Sequence, residues 1–116
     1  MNKNRDNYDN YDNDPNAYKA ITENPIILDF NKNRNLWDIH VMLKEKFGFP
    51  DYYGKNWDAL WDLMRDLFYE DYAYTVELHG FYSLPKDLQE KCKIMLEVFD
   101  DVVEESAPYF SYKIVS

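Results

Sequence analysis

From residue 25 onward, apolar positions alternate between two spacings, and the changes of spacing mark out the elements. PIILDF (25–30) is a short run rich in branched aliphatic residues and closed by the polar NKNR, the pattern of a buried strand. From Asn35 the spacing becomes three and four, through Leu36, Ile39, Leu43 and Phe47 with Met42 beside them. That predicts an amphipathic helix, ended by Gly48 and by Pro50 just beyond. GFPDYYGK (48–55) reads as a loop, with Asn56 placed to cap the next helix. This second helix is predicted from Trp57 to about Tyr69. Leu60, Met64, Leu67, Phe68 and Trp57 lie on its apolar arc, Asp58, Asp62, Asp66 and Arg65 on the opposite arc, and Trp61 on the border. AYTVELHG (73–80) alternates as a second strand. Pro85 starts the longest helix, roughly 86–106, whose core face carries Leu88, Cys92, Met95, Phe99, Val102 and Val103. YFSYKIVS (109–116) closes the chain as a strand. The order β-α-α-β-α-β predicts an α/β fold, a small parallel sheet packed against helices.

The first 25 residues have no such period. They are rich in Asn, Asp and Tyr and carry two prolines, too little apolar surface to offset the entropy of ordering. The composition therefore predicts a flexible tail over 1–25 and a single domain over 26–116, since 116 residues leave no room for two cores.

Charge narrows the function. The net charge is −9, which disfavours nucleic acid and anionic membranes and favours a basic partner. The single cysteine excludes an internal disulfide and a multi-cysteine metal site. No secretory signal or membrane span is legible, so a cytoplasmic location is expected.

The acids have three possible chemistries. Asp58 and Asp62, one turn apart, would place their Cβ atoms about 5–6 Å from each other, within reach of paired-carboxylate catalysis. They lie on the hydrophilic, convex side of a helix, however, which gives the two acids no distinct environments for separate acid and base roles. His40 and His79 have no ligand or triad partner nearby and read as surface or edge histidines, and Cys92 reads as core packing. Metal binding fares no better: carboxylates on a straight helix reach from one side only, and the tail's DNYDNYDND lacks the closing Glu of a calcium loop. No cofactor is expected. A plain solvated face would be the default, but this row has only Arg65 to moderate it and adjoins Tyr52, Tyr53 and Trp61, aromatic types that dominate binding hot spots. A binding face for a basic, concave protein fits best. A carboxylate there accepts the charge-assisted hydrogen bonds that a phosphate would.

The run FPDYYGKNWDALWDLM also closely resembles the signature of the barstar family, intracellular inhibitors of barnase-type ribonucleases. The family pattern Pro-x-Tyr-Tyr-Gly-x-Asn-x-Asp-Ala-Leu-Trp-Asp is present without a gap from Pro50 to Asp62. Weaker similarity continues through VEL (76–78), Phe81, LEVF (96–99) and the final strand. The resemblance implies a three-stranded parallel sheet packed by three to four helices, and a monomeric, stoichiometric inhibitor rather than an enzyme. It implies that Tyr52 packs on the nuclease's substrate surface. Asp58 and Asp62 would pair with its basic catalytic residues, Asp62 standing where a substrate phosphate would. Trp61 and Gly54 would contact the rim, and Asp101 would replace a Glu that forms a further salt bridge. With Tyr53, Asn56 and Asp66 these make the expected partner-binding set. The partner implied is a basic secreted ribonuclease or a related nuclease toxin.

The chain departs from the family after Asp62. LMRDLFYED is longer than the family's run, Arg65 stands where a small neutral contact residue is usual, and Phe68 or Tyr69 replaces a tryptophan. The family's pair of cysteines is absent. These departures leave open a second reading, an acidic regulatory or immunity module on the same fold whose target is not such a ribonuclease.

Overall fold

The computed structural model describes residues 14–68 and 72–115. Among these, three strands, β1 (Ile26–Asp29), β2 (Tyr74–His79) and β3 (Phe110–Val115), form one parallel sheet in the order β1-β2-β3. Three helices accompany them: α1 (Leu36–Phe47), α2 (Trp57–Met64) and α3 (Lys86–Ser106). Single 3-10 turns follow β1 and β2, at Phe30–Lys32 and Phe81–Ser83. The expected fold class, a small three-stranded parallel sheet packed by helices, is observed.

Register explains why the strands alternate. Ile26 pairs with Val76 and Leu28 with Leu78, and β2 in turn sets Val76 against Tyr112 and Leu78 against Ile114. Ile26, Leu28, Val76, Leu78 and Phe110 are fully or nearly fully buried on the face turned to the helices. The other face carries Ile27, Thr75, Glu77, Ser111 and Lys113, which are half-buried or exposed. Parallel sheets are usually covered on both faces; among the described residues the helices cover one face of this sheet, which accounts for the alternation read in AYTVELHG.

The helices begin and end where local chemistry dictates. Asn35 caps α1 by accepting from the Asp38 N–H (2.9 Å). Gly48 ends it in the left-handed region (φ 68°), where a glycine carries no side-chain penalty. Ile39, Leu43 and Phe47 are fully buried, as the spacing predicted. Leu88, Cys92, Met95, Phe99 and Val102 of α3 are buried too, while Val103 packs at the core's edge.

One expectation needs correction. Helix α2 stops at Met64 rather than near Tyr69. The Leu67 N–H donates to the Met64 carbonyl (3.0 Å) in a tighter turn, and Phe68 then packs against Phe47, Tyr74 and Phe110. Asp66 therefore lies in the turn, so only Asp58 and Asp62 stack on the helix.

Of the expected tail, the first 13 residues lie outside the described residues, and residues 14–25 make contacts with the domain. Tyr18 and Ile21 pack at the edge of the core, Glu23 pairs with Lys46 (2.7 Å), and the Asn24 side chain bridges the Ala73 carbonyl and the Thr75 N–H.

Candidate partner-binding face

The loop between α1 and α2 is shaped from inside. Phe49 and Tyr53 are buried, with ring centroids 5.0 Å apart. The Tyr53 hydroxyl hydrogen-bonds His40 Nδ1 at 2.6 Å. His40 is itself buried and lies against Trp57, with centroids 4.4 Å apart. Tyr53 thus faces the core and leaves Tyr52, its neighbour, 59% exposed. Asp51 and Tyr52 form a turn closed by the Tyr53 N–H donating to the Pro50 carbonyl (3.0 Å), and the Tyr-Tyr pair divides into one anchor and one exposed ring. His40, expected at the surface, is the missed residue of the site. Its position on the apolar side of α1, one residue after Ile39, was the available signal.

The loop then enters α2 through a strained step. Lys55 has φ 53°, in the left-handed region that non-glycine residues seldom adopt. Its ammonium lies 4.9 Å from the centroid of the exposed Trp37 ring, a contact that favours this geometry. Asn56 comes next as the helix cap: its side chain accepts from the Ala59 N–H (2.8 Å) and donates to the Gly54 carbonyl (3.4 Å). Asn56 is exposed, but its side chain is committed to shaping the loop–helix junction.

Two hollows flank this junction. One, of about 250 Å³, is lined by Tyr52, Tyr53, Gly54, Ala59, Asp62 and Leu63, which brings Tyr52, Gly54 and Asp62 together. The other, of about 220 Å³, runs between α2 and α3 and is lined by Trp57, Asp58, Trp61, Ile94, Glu97, Val98 and Asp101. Asp58, Trp61 and Asp101 therefore share a groove although the last is some forty positions away in sequence. Asp66 lines neither hollow. Trp61 is half-buried, with the Arg65 guanidinium 5.6 Å from its ring centroid; Arg65 is thus laid along the indole.

The electrostatics of the face are one-sided. The side chains of Asp58, Asp62, Asp66 and Asp101 are exposed, and none forms a hydrogen bond or ion pair with any described residue. Several lysines pair with acids outside this set: Lys19 and Lys44 with Asp51, Lys46 with Glu23, Lys93 with Glu90 and Lys113 with Glu77, while Lys55 in the loop lies over Trp37. Hydrogen bonding and attraction from Lys44 and Lys19 hold the Asp51 carboxyl below the ordinary range. Among the described residues, no cluster of three or more His, Cys, Asp or Glu is placed to hold a metal ion, and no helix is long and apolar enough to cross a membrane.

Comparison with known proteins bears on the family of this chain. The model of the family described as Barstar (barnase inhibitor) matches residues 24–113. The chain is also similar to the "Putative ribonuclease inhibitor YrdF" of Bacillus subtilis (strain 168), at 38% identity over 80 residues, covering 69% of this chain and 86% of the relative. With the three-stranded parallel sheet, the Pro50–Asp62 signature on its loop and helix, and a family match over nearly the whole described domain, the chain belongs to the barstar family.

Proposed function

We propose that the chain is a cytoplasmic, stoichiometric inhibitor of a basic, barnase-type ribonuclease, acting as a monomer that plugs the enzyme's active-site cleft. The observation that carries this reading is the uncompensated acidic face. Asp58, Asp62 and Asp101 project with no hydrogen bond or ion pair to any described residue, Asp62 beside the exposed ring of Tyr52 and Asp58 and Asp101 in the second groove. Leaving like charges unpaired is unfavourable in the free protein, and a partner that supplies the opposite charge recovers that cost. Membership of the family and the name of the Bacillus relative support the same target class.

In this reading Asp62, in the hollow beside Tyr52, occupies the position of a substrate phosphate and accepts charge-assisted hydrogen bonds from the enzyme's cations. Asp58 and Asp101 pair with basic residues at the second groove, and Tyr52, Gly54 and Trp61 supply the contact surface. Tyr53 and Asn56 act from beneath, by holding Tyr52 outward and capping α2. Asp66 sits at the rim.

Titrating the purified chain into a barnase-type ribonuclease while following RNA cleavage tests the reading. The expected result is loss of activity with a sharp break at one inhibitor per enzyme. Full activity at micromolar excess would overturn it. One observation favours a second reading, an acidic module for a different target: Arg65 places a cation within the acidic face, against Trp61, where a basic nuclease would be repelled. A basic binding partner without ribonuclease activity would support that alternative.

A further inference from the structure

The loop presenting Tyr52 is held from outside as well as from beneath. Residues 14–19 run alongside it and grip it on both sides of Pro50. The Lys19 N–H donates to the Gly48 carbonyl (2.7 Å), and the Asp51 N–H donates to the Pro15 carbonyl (2.8 Å). The Lys19 ammonium reaches Asp51 (3.5 Å), which Lys44 also holds (2.9 Å). Between these contacts Tyr18 packs edge-on against Phe49, with centroids 6.5 Å apart. Its hydroxyl donates to the Leu63 carbonyl (2.9 Å), in the last turn of α2 and next to Asp62. A single side chain thereby ties the Tyr52 loop to the end of the helix that carries Asp62.

The approach is close enough to demand glycine. A Cβ on Gly48 would collide with the Lys19 carbonyl oxygen. The contacts differ in weight. Lys19 and Asp51 are each about half exposed, and such surface pairs contribute little. The two backbone hydrogen bonds and the partly buried Tyr18 carry the attachment. The family match begins at residue 24, so these contacts come from a segment outside the matched domain.

We propose that residues 14–19 are a clamp that holds the 48–53 loop in its partner-contacting shape, with Tyr18 and Lys19 as positioning residues for Tyr52. The clamp's effect on affinity rests on the inhibitor function proposed for this face; its effect on the loop does not. A loop fixed in its bound shape loses less freedom on association, so the clamp slows dissociation without touching the partner.

The test uses the full chain carrying Tyr18→Ala or Tyr18→Phe, the latter keeping the ring on Phe49 while losing the bond to Leu63. In the free protein, hydrogen exchange at the Lys19 and Asp51 amides is expected to accelerate in Tyr18→Ala, with amides of the buried face of α3 unchanged. Dissociation from a barnase-type ribonuclease is expected to quicken roughly 3- to 10-fold, and by less in Tyr18→Phe. In a Tyr52→Ala background the added effect of Tyr18→Ala is expected to fall below about 2-fold, because the clamp acts through Tyr52. Unchanged exchange, or an undiminished effect in that background, would overturn the clamp. If Tyr18→Ala does not fold, Tyr18→Phe carries both measurements. If the parent itself fails to inhibit, the inhibitor reading falls and exchange alone decides the clamp.

Discussion

Two carboxylates one turn apart on the same helix have different surroundings. Asp62 shares a hollow with Tyr52 and the mostly apolar side chains of Ala59 and Leu63, whereas Asp58 opens onto the groove with Asp101 and Glu97. In the proposed complex the hollow is sealed, Asp62 would be a desolvated half of an ion pair, and truncating it would strand the enzyme's cations. Asp62→Ala is therefore expected to weaken inhibition most, on the order of a hundredfold or more, with Asp58→Ala and Tyr52→Ala next in order. Inhibition constants for the three variants check the order. His40 gives a prediction independent of any partner. Burial, reinforced by the Lys55 cation, pushes its pKa down to about 4 from the ordinary 6.5. The folded state thus favours neutral imidazole, and between those values the unfolded chain binds more protons. The stabilisation is complete above about pH 6.5 and is lost as pH falls towards 4, by about 3 kcal/mol. Chemical denaturation at pH 7 and pH 4.5 should show this loss in the parent and a flatter profile in His40→Gln. Glu23 and Asp51, held low by hydrogen bonds and lysines, also lose stabilisation as pH falls below about 5, so the difference between the parent and His40→Gln isolates the histidine.

At the scale of elements, α2 is short and depends on its ends. Eight residues are too few to be stable alone in water; the Asn56 cap and the burial of Leu60, Leu63 and Met64 hold it. Asn56→Ala is expected to cost about 1 kcal/mol and to loosen Gly54, since the same side chain reaches its carbonyl. A lowered denaturation midpoint with unchanged slope would show it. The sequence made α1, α3 and the strands legible because each buries a face with its own period. It overextended α2 because Leu67 and Phe68 continue the helical spacing, yet the turn after Met64 delivers Phe68 to the core just as well. It also could not say which tyrosine of Tyr52-Tyr53 faces inward, because only the path of the backbone decides that. The acids of the site were legible one by one. Their division between two hollows was not, since Asp101 reaches the groove only through the packing of α3 on α2.

Across the whole molecule, a net charge of −9 and an acidic face without internal partners predict steering. Association with a basic enzyme should slow steeply as salt rises, while dissociation changes much less; stopped-flow association at low and physiological ionic strength would show the split. The clamp brings in a residue that serves two masters. Gly48 ends α1 in a left-handed turn and also leaves room for the Lys19 carbonyl. The first demand can be met by asparagine or by rebuilding the cap; the second cannot be met by any side chain. Relatives without the docked segment are released from the second demand, so this glycine and the segment should be inherited together, and the chain's history should be readable from the pair.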